Sequence, residues 1–275
     1  MTRSRTITKR VSWRGKGLHS GKECVVTVSP SRRPGIYFSH EDARIPLQNL
    51  QADGSARGTT VTFPNGRRAM TVEHLLGVLS GLGLWAVVID LEGPEMPALD
   101  GSGKTMANEL EKHAVDAPCE GPDPLIITIP VTVEDPEREA FVGCFPSRET
   151  RVTAVIRYEE TYPAVQAADY RHSFLDFAGE IAPARTFVLE REIEEVLSRG
   201  LGQGGSRENT LVLGTDGPLQ APRFPEEPPR HKILDLFGDL ALLGRPVIGR
   251  FFSYKGGHVM NLRLMERLRR LAGTK

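Results

Sequence analysis

The stretch RHKILDLFGDL, residues 230–240, has the apolar spacing of a helix that packs against a core. The residues of its apolar stripe are Ile233, Leu234, Phe237 and Leu240. His231 and Asp235 are four residues apart, so their side chains project from one helical face, and Asp239 extends this line by a turn. An imidazole and a carboxylate on one face are two of the three protein ligands that a catalytic metal site needs. The third ligand has to come from elsewhere in the chain.

The composition is that of a soluble globular protein. The 275 residues predict one large or two medium domains, and 39% hydrophobic with 25% charged residues is an ordinary balance for a soluble protein. The formal net charge is +0 without a basic tract, so the sequence offers no electrostatic footprint for nucleic acid. No apolar run approaches the roughly 18 residues that a membrane span requires. We therefore expect no nucleic-acid partner and no transmembrane segment.

Cysteine usage favours a reducing compartment. Cys24, Cys119 and Cys144 are widely spaced and odd in number, which argues against a disulfide framework or a thiolate metal cage. The first sixteen residues carry six basic side chains and no acid, as transit peptides do. Their strand-like alternation from Thr6 to Trp13 instead predicts the first strand of the folded protein. We expect a cytoplasmic protein.

The chain predicts two halves with the same order of elements. Strands are predicted at 5–13, 23–29, 35–39, 58–63, 85–91, 125–134, 139–145, 151–158, 170–176, 210–213 and 246–254. Helices are predicted after an N-cap at Thr71 and at 104–115, 190–199, 230–243 and 257–271. The proline-rich segment 118–124 predicts a linker between an N-terminal domain at 1–117 and a C-terminal domain at 125–275.

The register of the two halves suggests the third metal ligand. His74 precedes Trp85 by eleven residues, and Asp235 precedes Pro246 by eleven, where the late strand of each half begins. This predicts that the first helices of the two halves are equivalent and face each other at a domain interface, where binding sites are common. His74 is then the candidate third ligand. Glu73, about 100° around the same helix, could reach a water on the metal.

Each of these signals also has an ordinary structural explanation. A Glu-His pair on an amphipathic helix is commonly a solvated edge, and His-x-x-x-Asp is common helix decoration. His258 follows two glycines at the start of the last helix, where it is either a general acid or a polar cap. His19 lies in a glycine-flanked turn, for which we expect a structural or supporting role.

An ordered set of short motifs runs through the chain. In sequence order they are Gly17-Leu18-His19-Ser20-Gly21, Thr71-Val72-Glu73-His74-Leu75, Gly81-Leu82-Gly83, Pro94-Glu95-Met96-Pro97, Asp100-Gly101-Ser102, Ala184-Arg185-Thr186-Phe187, residues 230–240 and Gly257-His258-x-x-Asn261. Each motif alone is weak. Together they closely resemble the UDP-3-O-acyl-N-acetylglucosamine deacetylases, the zinc amidases of bacterial lipid A synthesis, and the resemblance covers essentially the whole chain.

The resemblance implies an α/β fold of the α+β two-layer kind, with two similar β-α-α-β sandwich domains and the active site at their interface. It implies that His74, His231 and Asp235 bind zinc, the same three residues that helical spacing and register suggest. Because two histidines, one aspartate and an open position also suit Fe(2+), we expect Zn(2+) with Fe(2+) as the alternative.

The resemblance also implies the catalytic roles. Glu73 corresponds to the general base, His258 to the general acid, and Thr186 to a residue that helps stabilise the oxyanion. Asp239 corresponds to the carboxylate that orients and charges the acid histidine. Lys232 corresponds to a residue that contacts the substrate near the diphosphate.

Further positions concern substrate binding. Phe187 resembles a nucleotide-contacting aromatic residue, and Arg138 stands where the family can use a basic residue toward the diphosphate. Segment 186–213 corresponds to the insert that forms the family's hydrophobic passage for the acyl chain. Val188 and Arg207 depart from the family's usual residues within this insert, so the acyl length preference does not follow from the resemblance.

These roles imply hydrolysis of the N-acetyl group of UDP-3-O-(3-hydroxyacyl)-N-acetylglucosamine, which releases acetate in an early committed step of lipid A biosynthesis. Two other functions stay open: a divergent paralogue that deacetylates another nucleotide sugar, and a catalytically degenerate nucleotide-sugar binding protein. We expect a small-molecule UDP-sugar lipid as substrate, a monomer, and a bacterial cytoplasmic location.

Overall fold

The computed structural model describes residues 3–41 and 43–273, which form helices and sheets in two similar halves. The strands are β1 Arg3–Ile7, β2 Val11–Lys16, β3 Glu23–Pro30, β4 Gly35–His40, β5 Ala43–Pro46, β6 Gln51–Asp53, β7 Thr60–Thr62, β8 Arg68–Ala69, β9 Ala86–Glu92, β10 Ala114–Glu120, β11 Leu125–Ile126, β12 Val131–Asp135, β13 Ala140–Phe145, β14 Arg151–Arg157, β15 Val165–Arg171, β16 Phe187–Leu189, β17 Leu211–Gly214, β18 Gly217–Pro218, β19 Val247–Ile248 and β20 Arg250–Tyr254. The α-helices are α1 Glu73–Gly81, α2 Lys104–Glu111, α3 Phe177–Glu180, α4 Ile193–Ser198, α5 Glu227–Ala241 and α6 His258–Leu271.

The main sheet of each half has five strands and the same topology. The strand order is β2-β3-β9-β4-β5 in the first half and β12-β13-β20-β14-β15 in the second. In both sheets the central strand, β9 or β20, pairs antiparallel with one neighbour and parallel with the other. A helix precedes this central strand and another follows it, so the sequence prediction of two equivalent halves in an α+β fold is confirmed.

The helices α1 and α5 pack directly against each other where the two halves meet. Most residues of both helices are buried, which is typical of helices that are enclosed by the rest of the protein on all sides. Glycines allow the close approach: a Cβ at Gly77 would lie 2.6 Å from the backbone oxygen of Leu234, and one at Gly238 would overlap the backbone oxygen of Glu73. The crossing therefore holds the start of α1 against the middle of α5.

Two small sheets flank this crossing. The sheet β6-β7-β8 precedes α1 in the chain. The sheet β16-β17-β18 and helix α4 are formed by segment 186–213 and the few residues that follow it. Leu189, Leu211 and Leu213 form a small core of this second sheet, separate from the main core. Thr59, directly before β7, contacts Glu73 in the first turn of α1, and the ring of Phe187 on β16 lies 6.3 Å from that of His231 on α5.

The first and last elements of the first half differ from those that the sequence predicts. The predicted strand 5–13 is two strands, and β1 pairs antiparallel with β10. Because β1 offers an edge for pairing, the predicted helix 104–115 ends at Glu111 and the chain turns into β10. Strand β10 extends to Glu120, into the predicted linker 118–124, and the domain boundaries stay a prediction.

Helix starts differ as well. Thr71 is not an N-cap: α1 begins at Glu73, while Thr71 adopts a positive φ of 56° and its hydroxyl donates to Oε1 of Glu95 at 2.8 Å. Helix α5 begins at Glu227, earlier than predicted, with two prolines in its first turn, where their missing N–H groups cost nothing. The strand predicted at 170–176 lies at Val165–Arg171 instead.

Within the described ranges 3–41 and 43–273, no helix combines the length and the apolar character that a membrane crossing demands.

Candidate active site

Three potential metal ligands meet at the crossing of α1 and α5. Nε2 of His231 lies 3.3 Å from Oδ1 of Asp235, and Nε2 of His74 lies 3.8 Å from the same oxygen. The ligand atoms of the three residues all lie within 4.8 Å of one another. All three side chains are buried. The prediction that the equivalent helices face each other thus brings His74 to the residues from the opening stretch.

The chemistry of these side chains fits a metal ion. Oδ1 of Asp235 is buried without a hydrogen-bond partner among the described residues, an arrangement that is costly unless another group satisfies the oxygen. Nδ1 of His231 donates to the carbonyl of Ala184 at 3.0 Å, which leaves Nε2 free to act as a ligand. Burial lowers the pKa of His231, and burial together with His231 lowers that of His74 to about 3, so both rings are neutral, as metal ligands must be.

Asp235 is ionised despite its burial. Burial alone raises the pKa of this carboxyl, but the nearby His231 and the cationic Lys232 outweigh it and hold the pKa far below its usual range. Nζ of Lys232 donates to Oδ2 of Asp235 at 2.9 Å. One oxygen of Asp235 is therefore neutralised by a cation, and the other faces the two histidines.

Glu73 is a buried carboxyl beside this cluster. Its Oε2 accepts a hydrogen bond from the backbone N–H of Thr59 at 2.8 Å, and its Oε1 lies 3.9 Å from Nε2 of His258. Burial raises the pKa of Glu73 to about 7, despite the opposing effect of His258. A carboxyl with such a pKa can both accept and release a proton near neutral pH.

His258 is the first residue of α6 and stands opposite Glu73. Its Nδ1 lies 3.0 Å from Oδ2 of Asp239. Burial lowers the pKa of His258, but Asp239, Asp235 and Glu73 outweigh burial and raise it to about 9. The imidazole is therefore protonated at neutral pH and presents an acidic Nε2–H toward Glu73.

Asp239 is held by Thr59 and Asn261, two residues for which the sequence predicts no individual role. The hydroxyl of Thr59 donates to Oδ1 at 2.5 Å, and Nδ2 of Asn261 donates to Oδ2 at 2.8 Å. Asn261 belongs to the motif Gly257-His258-x-x-Asn261, and residues three apart in a helix lie on the same face. This spacing could have predicted that Asn261 lies near His258. Thr59 lies in the other half of the chain, and nothing in the sequence around it predicts a contact with Asp239.

Thr186, Phe187 and Lys232 line one wall of the site. The backbone of Thr186 is fixed by hydrogen bonds to the backbones of Gly101 and Leu211, and the residue lines the cavity. Nζ of Lys232 lies 5.3 Å from the centroid of the Phe187 ring, within cation–π distance. The structure thus places these three residues in one cavity with His74, His231, Asp235, Glu73 and His258, all of which were predicted site residues.

A cavity of about 430 Å³ extends from this cluster along segment 186–213. One end is lined by Glu73, His74, His231, Asp235 and His258. The rest of the lining includes a group of aliphatic residues, which are Leu18, Val188, Leu189, Ile193, Val196, Leu197, Val212 and Leu219. The charged residues Arg57, Glu190, Glu192 and Arg207 also line this part of the cavity. The cavity therefore joins a polar reaction centre to a channel of the right character for a hydrocarbon chain.

The remaining predicted positions fall in different places. Val188 and Arg207 line the cavity, and His19 lines it while its Nδ1 accepts the backbone N–H of Gly202 at 3.4 Å. Arg138 is 79% exposed, pairs with Asp135 at 3.9 Å, and does not line the cavity. Its role toward a diphosphate stays a prediction.

The sequence is similar to one family over nearly its whole length. A sequence model of the family described as UDP-3-O-acyl N-acetylglycosamine deacetylase matches residues 4–270. A protein of Thermosynechococcus vestitus is 38% identical over 96% of this chain and 93% of its own length. Proteins of Myxococcus xanthus and Aquifex aeolicus are each 36% identical over 96% of this chain, and over 85% and 92% of their own lengths. All three are named UDP-3-O-acyl-N-acetylglucosamine deacetylase.

Proposed function

The chain belongs to the UDP-3-O-acyl N-acetylglycosamine deacetylase family, and we propose that it carries out this deacetylation in the cavity at the crossing of α1 and α5. The substrate is a UDP-3-O-(3-hydroxyacyl)-N-acetylglucosamine, the products are acetate and the free amine, and the step serves lipid A biosynthesis. One observation carries the proposal: a buried base, a protonated histidine and a three-residue ligand set converge at one end of a cavity whose remaining lining includes a group of aliphatic residues.

His74, His231 and Asp235 hold the metal in this proposal. When bound, the metal supplies Lewis acidity, which makes a water more acidic and polarises the acetyl carbonyl. Zn(2+) is the expected ion, and Fe(2+) suits the same donor set. The ionised Asp235 with its orphaned Oδ1 and the two neutral imidazoles support a divalent cation at this position.

Glu73 acts as the general base. Its carboxylate takes a proton from the water as the water oxygen forms a bond to the acetyl carbon. The pKa of about 7 matches this task because the carboxylate form is well populated at neutral pH while the group remains basic enough to accept the proton. The hydrogen bond from Thr59 fixes Oε2 and leaves Oε1 toward the cavity.

Thr186 and His258 act on the other atoms of the amide. The Thr186 hydroxyl donates to the carbonyl oxygen as negative charge develops there. Protonated His258 gives its Nε2 proton to the nitrogen as the carbon–nitrogen bond breaks, because an amide nitrogen leaves poorly as an anion. Asp239 keeps His258 charged and oriented through the 3.0 Å contact with Nδ1.

Substrate contacts complete the assignment. Lys232 and Phe187 bind the nucleotide-sugar part near the diphosphate, and the part of the cavity with the aliphatic residues takes the acyl chain. We place the enzyme in the bacterial cytoplasm as a monomer. The free state of all three cysteines supports a reducing compartment, and light scattering on the purified protein tests the oligomeric state.

The decisive experiment is a mass-spectrometric assay of acetate loss from UDP-3-O-acyl-N-acetylglucosamine substrates of graded acyl length, with and without chelator. We expect acetate release that chelation abolishes and that depends on the acyl chain. Glu73→Ala should lower turnover by about 10²- to 10⁴-fold while metal content stays at the wild-type level. Wild-type turnover by a metal-loaded Glu73→Ala variant would contradict the base assignment. Absence of acetate release by the metal-loaded wild-type protein would contradict the function itself.

A further inference from the structure

The loop before β7 holds the base and the acid together. Thr59 is fully buried, and its backbone N–H donates to Oε2 of Glu73 at 2.8 Å. Its hydroxyl donates to Oδ1 of Asp239 at 2.5 Å and lies 3.3 Å from Nδ1 of His258. One residue thus contacts the general base, the acid histidine and the carboxylate behind it. A displacement of this residue moves all three relative to one another.

Arg57, two residues before Thr59 in the same loop, forms an ion pair with Glu192 of segment 186–213. Nη2 of Arg57 lies 2.8 Å from Oε2 of Glu192, the last residue before α4. Arg57 adopts a positive φ of 59°, a conformation that is unfavourable for an L-residue and persists only where the surroundings hold it. Between Arg57 and Thr59, Gly58 packs so closely that a Cβ there would lie 3.0 Å from Oε1 of Glu73. The loop therefore has little room to absorb a shift of Arg57.

The ion pair borders the apolar part of the cavity. Arg57 and Glu192 both line it, next to Ile193 and Val196 of α4. The two charged side chains are 38% and 28% exposed, so water weakens their attraction while the cavity is open. A hydrocarbon chain beside them would exclude water and strengthen the attraction. The pair is thus sensitive to what occupies the passage.

We propose that residues 57–59 couple occupation of the acyl passage to placement of the catalytic groups. Arg57 and Glu192 determine the preference for acylated substrates, and Thr59 is the positioning residue that transmits it to Glu73 and Asp239. An acyl chain tightens the Arg57–Glu192 pair, which holds the loop and so the base and acid in their working arrangement. This inference rests on the proposed deacetylase function and deepens it.

Charge exchange across the pair tests the outer contact. We would measure kcat and KM of the metal-loaded enzyme for UDP-3-O-acyl-N-acetylglucosamine and for unacylated UDP-N-acetylglucosamine. Arg57→Glu and Glu192→Arg should each lower the ratio of the two kcat/KM values by about fivefold, through kcat on the acylated substrate. The double variant, Arg57→Glu with Glu192→Arg, should restore the ratio. Glu195→Arg is the matched control: Glu195 lies on α4 and pairs with Arg199, but it does not line the cavity.

Thr59 variants test the inner contact. Thr59→Val should lower kcat by about 10- to 100-fold on the acylated substrate and by about fivefold less on the unacylated one, because Asp239 loses a charge-assisted hydrogen bond and the acyl preference is no longer transmitted. Thr59→Ser should retain most of the activity and the preference. If the loop transmits the effect, Arg57→Glu should not lower the acyl preference further in a Thr59→Val background. Melting curves of every variant check that each remains folded.

The outcomes separate the two proposals. An active enzyme whose acyl preference is unchanged in Arg57→Glu overturns the inference and leaves the deacetylase function intact. The inference is also overturned if the double variant, Arg57→Glu with Glu192→Arg, fails to restore the acyl preference. A fivefold loss of the kcat/KM ratio in the Glu195→Arg control would overturn it as well. A metal-loaded wild-type protein that releases no acetate from either substrate overturns the function, and the inference with it.

Discussion

Oδ1 of Asp235 is a buried carboxylate oxygen that accepts no hydrogen bond from the described residues, although two histidine nitrogens lie within 3.8 Å. Since an unsatisfied buried charge is strongly unfavourable, the position is best explained by a cation shared with the histidines. Asp239 lies one turn further along α5, is equally buried, and has all its contacts with protein groups. The two carboxylates of one helix thus have different surroundings, which supports the different roles that we propose for them.

Substitution at these two positions should separate metal binding from acid catalysis. Asp235→Asn should weaken metal binding by more than about tenfold, because a charged ligand is replaced by a neutral one. Asp239→Asn should keep the metal and lose turnover, because His258 loses its charged partner. Metal content after dialysis against chelator, measured by elemental mass spectrometry, distinguishes the two. Full metal retention by Asp235→Asn would contradict the ligand assignment.

Arg185 and Glu227 form a buried ion pair directly before Thr186. Their side chains are 8% and 0% exposed, and Nε of Arg185 donates to Oε1 of Glu227 at 2.9 Å. Backbone N–H groups of Arg185 and Arg223 also donate to this carboxylate. The pair fixes the start of α5 against the segment that presents Thr186.

Removal of the cation should destabilise the protein strongly. Arg185→Met leaves Glu227 buried without its partner, for which we expect a loss of about 3–5 kcal/mol in the free energy of unfolding. Arg151→Met is the control, because its ion pair with Asp169 is 42% and 39% exposed, so water screens it and its loss should change the free energy of unfolding little. Urea unfolding of both variants measures the difference. Equal losses would show that burial of the Arg185 pair is not the cause.

At the scale of the elements, the crossing of α1 and α5 sets the geometry of the site. The ligand set is divided between the two helices, so a small change in their separation changes the distances among His74, His231 and Asp235. At Gly238 the backbones of α1 and α5 are so close that a Cβ would overlap the backbone oxygen of Glu73. A side chain at this position has no space unless the helices separate.

Gly238→Ala should therefore impair both folding and catalysis. We expect a loss of about 1–3 kcal/mol in the free energy of unfolding and weaker metal binding, because the added methyl group would push Glu73 and His74 away from α5. Gly179→Ala is the matched control, since a Cβ in helix α3 would meet nothing within 4 Å. Unfolding curves and metal titrations measure both effects. A Gly238→Ala variant with normal stability and metal affinity would show that the crossing can widen freely.

At the scale of the whole molecule, His172 links the two halves on the side away from the metal cluster. Its Nε2 donates to the carbonyl of Gly81 at the end of α1, at 2.9 Å, and its ring lies 5.1 Å from that of Phe237 on α5. Burial lowers the pKa of His172 from its ordinary value of 6.5, against the opposing effect of the Gly81 carbonyl. The folded protein thus binds a proton at this site less readily than the unfolded chain does.

The sign of the pH effect on stability follows from this shift. Above pH 6.5 both states hold the neutral ring and stability is full; as the pH falls below 6.5 the unfolded chain gains the proton first, so stability decreases. His172→Gln should reduce the slope of the unfolding free energy between pH 7.5 and pH 5.5, measured by urea titration. A variant with the wild-type slope would show that the proton is taken up elsewhere.

The local pattern was sufficient for much of the site. Helical spacing predicted α5 and the shared face of His231 and Asp235, and the register of the halves predicted that His74 would meet them. The insert at 186–213, which the family resemblance implies, stays a prediction; β16, α4 and most of β17 lie in this segment. These features depend on periodicity and order along the chain, which a sequence displays directly.

Other features depended on contacts between distant residues. Strand β10 replaces the end of a predicted helix because β1 pairs with it, and this pairing has no local signature. Thr59 reaches Asp239 across 180 residues of sequence, and its hydroxyl was one of many in a β-branched run. Thr71 resembles an N-cap, yet its side chain bonds to Glu95, which is fully buried. In these cases a distant partner overrode the local preference.

The sequence by itself determined the residue types of the site, the helices that carry the ligands and the family to which the chain is similar. Only the tertiary structure decided which groups hold Glu73 and His258, how the Arg57–Glu192 pair borders the cavity, and that Arg138 lies away from it. The physical reason is that helical periodicity is a property of neighbouring residues. Hydrogen bonds and ion pairs between the halves exist only after the two glycine-lined helices have packed together.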